Sequence, residues 1–235
     1  MATRPALHHD RRHRRLYATV ALVAALVAFA GFAPTYYLKG LFGTPPLSAL
    51  VHVHGLVMTL WIALFVAQVS LVGAGRVDLH RRLGIAGAVL ALLVIAVGTQ
   101  TAIEAARLGV SPGPPPLVFL AIPLGVVVVF AMLVATALYV RKRSDFHKRL
   151  MLIATLSLLT PAIARLPGLH DGGPLVAFGL TDLLLLACVT YDTVKNRRLH
   201  PAFIWGGLLL IVSQPLRIAL AFTPGWMQFA TWLTG

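Results

Sequence analysis

Charge is what this chain has least of. Only 11% of its 235 residues are charged, where a soluble domain carries about 25%. So few charges do not cover a water-facing surface, and most of the surface must meet lipid. Acidic residues are the scarcest: seven Asp and Glu stand against 20 Lys and Arg, a net charge of +13. In a soluble domain that excess would point to nucleic acid. Here the basic residues sit in short clusters between apolar runs, with no nucleic-acid-binding motif among them, so nucleic acid is not expected as a partner. The single cysteine, Cys188, rules out an intrachain disulfide. No HExxH pair, nucleophile elbow or phosphate-binding loop is present, which argues against hydrolase chemistry.

Apolar sequence is abundant: 58% of the residues are hydrophobic and the mean hydropathy is +0.85. A helix needs about 20 apolar residues to cross a bilayer. Seven runs approach that length: Leu16–Ala33, Ser48–Val72, Leu83–Glu104, Leu117–Val140, Leu150–Leu166, Pro174–Val194 and Ala202–Phe222. The fifth is the shortest. Pieces rich in Pro and Gly, "FGTPPL", "SPGPPP" and "PGLHDGGP", separate several of them and read as turns. The expected fold is an all-α polytopic bundle of about seven transmembrane helices. Residues 1–15 form a basic segment, 16–222 one transmembrane domain, and 223–235 an interfacial tail with Trp226 and Trp232. The first run is long for a signal peptide and six more follow, so it reads as an uncleaved helix.

Lys and Arg set orientation. Sixteen of the 20 fall in residues 1–15 and in the second-to-third, fourth-to-fifth and sixth-to-seventh connections. The other side has Lys39, Arg107 and Arg165, and Arg217 lies within the last run. The expected topology is N-terminus cytoplasmic and C-terminus outside, in a bacterial inner membrane. Membrane lipids, and other membrane subunits, are the expected partners.

One octapeptide recurs. "RVDLHRRL" (76–83) returns 67 residues later as "RSDFHKRL" (143–150), each joining two apolar runs. The two hairpins therefore read as parallel repeats related by an axis along the membrane normal. The sixth-to-seventh connection, "KNRRLHP", is a weaker relative containing His200. Asp78 and Asp145 suit helix caps, and the basic residues suit anionic headgroups. His80 and His147 need neither role. Among cations and in a first helical turn they are biased neutral, the form that ligates, so they are candidates to hold a metal or haem b.

Ionisable residues within spans are costly in lipid and mark interiors or cavities. Most fall in the outer half: His52 and His54, Gln100 and Glu104, Arg165, Asp182, Gln214 and Arg217. His170 and Asp171 follow in the outer loop. Residues two apart on a helix point about 200° apart, so His52 and His54 do not share a site. His54 shares a stripe with Met58, Trp61, Phe65 and Gln68 and is taken as the inward one, with Gly55 leaving room for a flat cofactor or a neighbouring helix. Asp182 and Arg217 are the expected ion pair. Pro161 and Pro215 precede the two arginines and suit kinks that open a cavity. Gly84, Gly87, Ala88 and Ala91 suit close helix packing.

The segments "HVHGLVMTLWIALFVAQ", "GRVDLHRRLGIAG" and "DFHKRLMLIATLSLLTPAIAR" resemble a bacterial multi-pass membrane family known as a domain of unknown function. The resemblance covers about residues 48–165 and implies no activity. There is a more distant likeness to b-type membrane cytochromes, which hold haem between histidines on different helices. That likeness implies haem on His80 with His147, and on His52 or His54 with His170. Three classes of function follow: a redox protein holding haem or a transition metal on these histidines, a small-molecule transporter using an outward polar cavity, and a structural or assembly factor. No catalytic residue is assigned.

The charge pattern makes one direct prediction. A reporter enzyme active only outside the cytoplasm should be active when fused after Gly235. It should be inactive when fused after Arg198. The reverse pattern would invert the orientation.

Overall fold

The computed structural model describes residues 6–169 and 172–235, with side chains from Arg15 onward. Among them there is no strand, and the helices run α1 (Ala6–Phe32), α2 (Ala49–Gly73), α3 (Val77–Arg107), α4 (Pro116–Phe119), α5 (Ala121–Tyr139), α6 (Ser144–Ser157), α7 (Thr160–Ile163), α8 (Gly173–Asn196), α9 (Pro201–Ala221) and α10 (Pro224–Thr234). A π-helical turn, Ala33–Tyr37, continues α1. Six helical segments among the described residues are long and apolar enough to cross a membrane: Arg15–Tyr37, Ala49–Gly73, Val77–Arg107, Pro116–Tyr139, Gly173–Asn196 and Pro201–Ala221. The chain is a multi-pass membrane protein built as a helical bundle.

The fifth apolar run is not a seventh such helix. It breaks at Leu158–Leu159 into α6 and the single turn α7. Pro161 is the reason: it has no N–H to give the carbonyl of Ser157, so the α6 ladder stops there. Backbone irregularity at membrane depth is tolerated where protein covers it, and here it is covered. Leu150, Leu152, Ile153, Ala154 and Leu156 are buried to within 1%. Thr160 and Thr181 share a hydrogen bond of 3.0 Å across the break. Although short, α6 and α7 traverse the same depth as α1. Lys148 lies over the Tyr17 ring at one end, and Arg165 lies over the Phe32 ring at the other. Gly31 allows this crossing: a Cβ there would collide with the Ala162 carbonyl.

Contacts fix which ends share a face. His80 meets His147, His200 meets Asp145, and Lys148 meets Tyr17. The start of α1 and the connections 74–76, 140–143 and 197–200 therefore lie together, and they form the basic face. On the opposite face Tyr36 donates to the His52 carbonyl, and Arg107 donates to the terminal carbonyls of α10 at Leu233 and Thr234. The tail there is a helix. Its Trp226 is buried and donates to the Leu117 carbonyl at 2.8 Å, while Trp232 is exposed.

One ion pair ties the basic face. Arg149 on α6 is 3% exposed and Asp192 on α8 is fully buried. The guanidinium binds both carboxylate oxygens, at 2.7 and 2.9 Å from Nη2, with Nε 3.1 Å from Oδ2. Nη1 donates to the Asp145 carbonyl at 2.7 Å. Removing one partner of such a pair leaves a buried charge and costs about 3–5 kcal/mol. Asp192→Ala should lose about that much in unfolding measured in detergent. The apolar double variant Arg149→Met with Asp192→Leu should recover much of the loss.

Candidate functional site

The repeated octapeptide starts two helices in the same way. Arg76 and Arg143 occupy the N-cap positions and make no side-chain cap bond. Asp78 and Asp145 are thus not the expected caps. They lie two residues further on, in the first turn, where the positive end of the helix dipole favours a carboxylate. His80 and His147 both fall at the fourth helical position, and their rings face each other. The ring centres are 6.4 Å apart and the planes are inclined by 77°.

Each ring has one nitrogen engaged by protein. His147 Nδ1 is 2.9 Å from the Ala137 carbonyl, an acceptor only, so this nitrogen carries the proton. His80 Nδ1 is 2.7 Å from the side-chain amide of Gln68. Neither Nε2 has a hydrogen-bond partner among the described residues, and both histidines line one cavity of about 400 Å³. That volume lies within the ~300–1,000 Å³ of small-molecule pockets. On α2 the wall is Trp61, Phe65 and Gln68, on α3 Gly84, Gly87 and Ala88, on α5 Val134 and Leu138, and on α6 Met151. Gly73, Gly75 and Val77 also line it, which puts its mouth at the basic face. Two buried donors on this lining have no partner among the described residues: the Tyr17 hydroxyl and Trp61 Nε1. The small residues of α3, expected to serve packing alone, here give the cavity its width. Of the four, Ala91 lies in the core. Trp61, Phe65 and Gln68 share the stripe read for His54, but they serve the cavity at the opposite end of α2.

Behind the cavity, His200 caps α9 by accepting from the Ala202 N–H at 3.1 Å on Nδ1. Its Nε2–H therefore donates to Asp145 Oδ2, also 3.1 Å away. Desolvation pushes the Asp145 carboxyl up. Hydrogen bonds from His200 and from the backbone N–H groups of Phe146 and Asp145 outweigh it, and the group sits below its ordinary value.

The outer polar residues do not assemble as expected. Asp182 and Arg217 form no ion pair. Asp182 accepts from Gln214 Nε2 at 2.8 Å, and Arg217 donates from Nη2 to Ser213. Arg217 is 5% exposed, lies over Phe178, and packs where a Cβ on Gly125 would collide with it. Pro215 leaves α9 a single helix. A second set holds His54 and Arg165. Arg165 donates to the Pro161 carbonyl, and His54 Nδ1 is buried without a partner among the described residues. The space at Gly55 is filled by the Tyr36 ring, not by a cofactor. His52 is exposed with its ring beside Tyr36. Gln100 and Glu104 form a third set with Arg107 in a shallow groove on α3. His170 and Asp171 lie outside the described residues.

Arg149, Asp192, Gln68 and Tyr17 are the residues that sequence reasoning left out of any site. Arg149 reads as one more topology charge. Asp192, an acid beside the cluster "KNRR", was the one available signal. Among the described residues no group of three or more His, Cys, Asp or Glu is placed to hold a metal ion. Comparison with protein-family models, characterised proteins and solved structures gives no match.

The depressed value of Asp145 has a sign that can be checked. Its carboxylate stabilises the fold above the ordinary value of 3.8, and this contribution is lost as pH falls through the lowered value. In His200→Ala the contribution should be smaller and its loss complete at higher pH. Unfolding midpoints measured between about pH 2 and 6 read the difference, and coincident curves would contradict it.

Proposed function

We propose that this membrane protein binds one haem b group between His80 and His147, with the basic face in the cytoplasm of a bacterial inner membrane, and that it serves one-electron redox chemistry. The observation that carries the reading is the facing pair of repeat-equivalent histidines. The ring centres lie 6.4 Å apart, and the two imidazoles would hold the metal of the group between them. Metal-bound histidines donate the other ring N–H to a carbonyl or carboxylate, as His147 does to Ala137.

The donor set selects the cofactor class. A bare transition metal needs further protein ligands, and no cluster of three or more is found among the described residues. Haem carries most of its metal's donors itself, and His80 and His147 would supply the protein's share. Gly84 and Gly87 leave width for a flat ring beside His80. Lys148 and the unpartnered Tyr17 hydroxyl line the same cavity, and they suit the carboxylates of a haem. When bound, haem supplies reversible one-electron transfer. His80 and His147 would hold the group, the apolar wall of the cavity would surround it, and Lys148 at the basic face would meet its acids.

A transporter would need one outward cavity lined by His54, Arg165, Asp182 and Arg217. Those side chains are bonded in separate sets, and the cavity lined by the two histidines opens at the basic face.

Protein purified from a haem-replete host should show a Soret band. His80→Ala and His147→Ala should each abolish it while the protein still elutes as a folded species, and His54→Ala should leave it unchanged. Colourless wild-type protein would reject haem at this site.

A further inference from the structure

The two facing histidines are equivalent by sequence but not by chemistry, and the difference lies in what holds each Nδ1. Ala137 offers His147 a backbone carbonyl at 2.9 Å. A carbonyl only accepts, so the His147 proton is fixed on Nδ1 and its Nε2 lone pair is free. His80 is held by an amide, which can either donate or accept. One orientation of the Gln68 amide satisfies all its neighbours. Its nitrogen then donates to His80 Nδ1 at 2.7 Å and to the His80 carbonyl at 3.2 Å, and its oxygen accepts from the Gly84 N–H at 3.1 Å. His80 Nδ1 is then an acceptor. A neutral His80 must carry its proton on Nε2, which leaves no lone pair there for a metal.

Turning the amide over reverses this. The oxygen takes the nitrogen's place, 2.7 Å from Nδ1, accepts an Nδ1–H, and frees the Nε2 lone pair. The turn also sets oxygen against the His80 carbonyl and nitrogen against the Gly84 N–H, two mismatched contacts. We infer that Gln68 is a positioning residue that decides whether His80 is a hydrogen-bond donor or an axial ligand. The inference rests on the haem reading above for its consequence, but not for its geometry. In the haem-free protein the pair presents one donor and one acceptor. Ligation would require the amide to turn, so His80 would hold the group more weakly than His147.

The experiment has two arms. In haem-free wild-type protein, nitrogen-15 NMR of the histidines should place the His80 proton on Nε2 and the His147 proton on Nδ1. In Gln68→Glu, whose carboxylate only accepts, the His80 proton should move to Nδ1. In the haem-loaded protein, Gln68→Leu should weaken haem retention about 10- to 100-fold and raise the midpoint potential. Gln68→Glu should retain haem and lower the potential below wild type, because a carboxylate partner makes the imidazole a stronger donor. A His80 proton found on Nδ1 in the haem-free wild type would overturn the inference. So would a Gln68→Leu protein matching wild type in both haem retention and potential. If wild type takes up no haem while Gln68→Glu still moves the His80 proton, the haem reading fails and the role of Gln68 stands.

Discussion

The buried pair of Arg149 and Asp192 is the interaction on which the arrangement of this bundle rests. In a chain so short of charge, two opposite charges placed in the interior at nearly zero exposure are costly unless they meet with full hydrogen bonding. They do meet, with the guanidinium spread over both carboxylate oxygens and the Asp145 carbonyl. The pair holds the start of α6 against α8, and His200 holds it against α9. With its entrance anchored, α6 runs through the centre of the molecule, surrounded by protein instead of lipid. This is what allows its ladder to end at Pro161 without exposing polar backbone to hydrocarbon. It also fixes the height and direction of His147, two residues before Arg149.

The recurrence of the octapeptide accounts for the second histidine: each copy starts a helix at the basic face with its histidine at the fourth position, and the two rings meet there. The site is then made asymmetric by its surroundings. One ring leans on a backbone carbonyl from its own hairpin, and the other on a side-chain amide from α2. A carbonyl has one hydrogen-bonding role and an amide has two, so two equal positions acquire unequal chemistry.

How far the site was legible varies by residue. His80 and His147 stood out because headgroup binding and topology account for the charges around them and not for an imidazole. The position of Gln68 on one stripe with Trp61 and Phe65 was also visible in the spacing. Its partner was not, because spacing along α2 says nothing of what α3 places against it. The outer residues misled for a related reason. Asp182 and Arg217 lie on sequential spans at similar depth, and depth alone made them a pair. The side chains instead took nearer neutral partners, Gln214 and Ser213. Arg149 was hidden by its company, since in a cluster of five cations the one that turns inward carries no mark. The fifth run was legible as apolar and short, while its break at Pro161 needed the packed interior that covers it.

By itself the sequence determined the solvent, the number of apolar runs, which ends share the basic face, and the existence of a repeated connection. These follow from hydropathy and the distribution of Lys and Arg, properties that each segment carries alone. The tertiary structure decided which polar groups meet. It joined Arg149 to Asp192 and Asp182 to Gln214, turned His80 toward His147, and placed the cavity at the basic face instead of the outer half. Those outcomes depend on rotation and height of helices relative to one another, set by side-chain packing between segments distant in the chain. Hydrogen bonds are lost within a fraction of their length, so depth read from the sequence is too coarse to choose among partners.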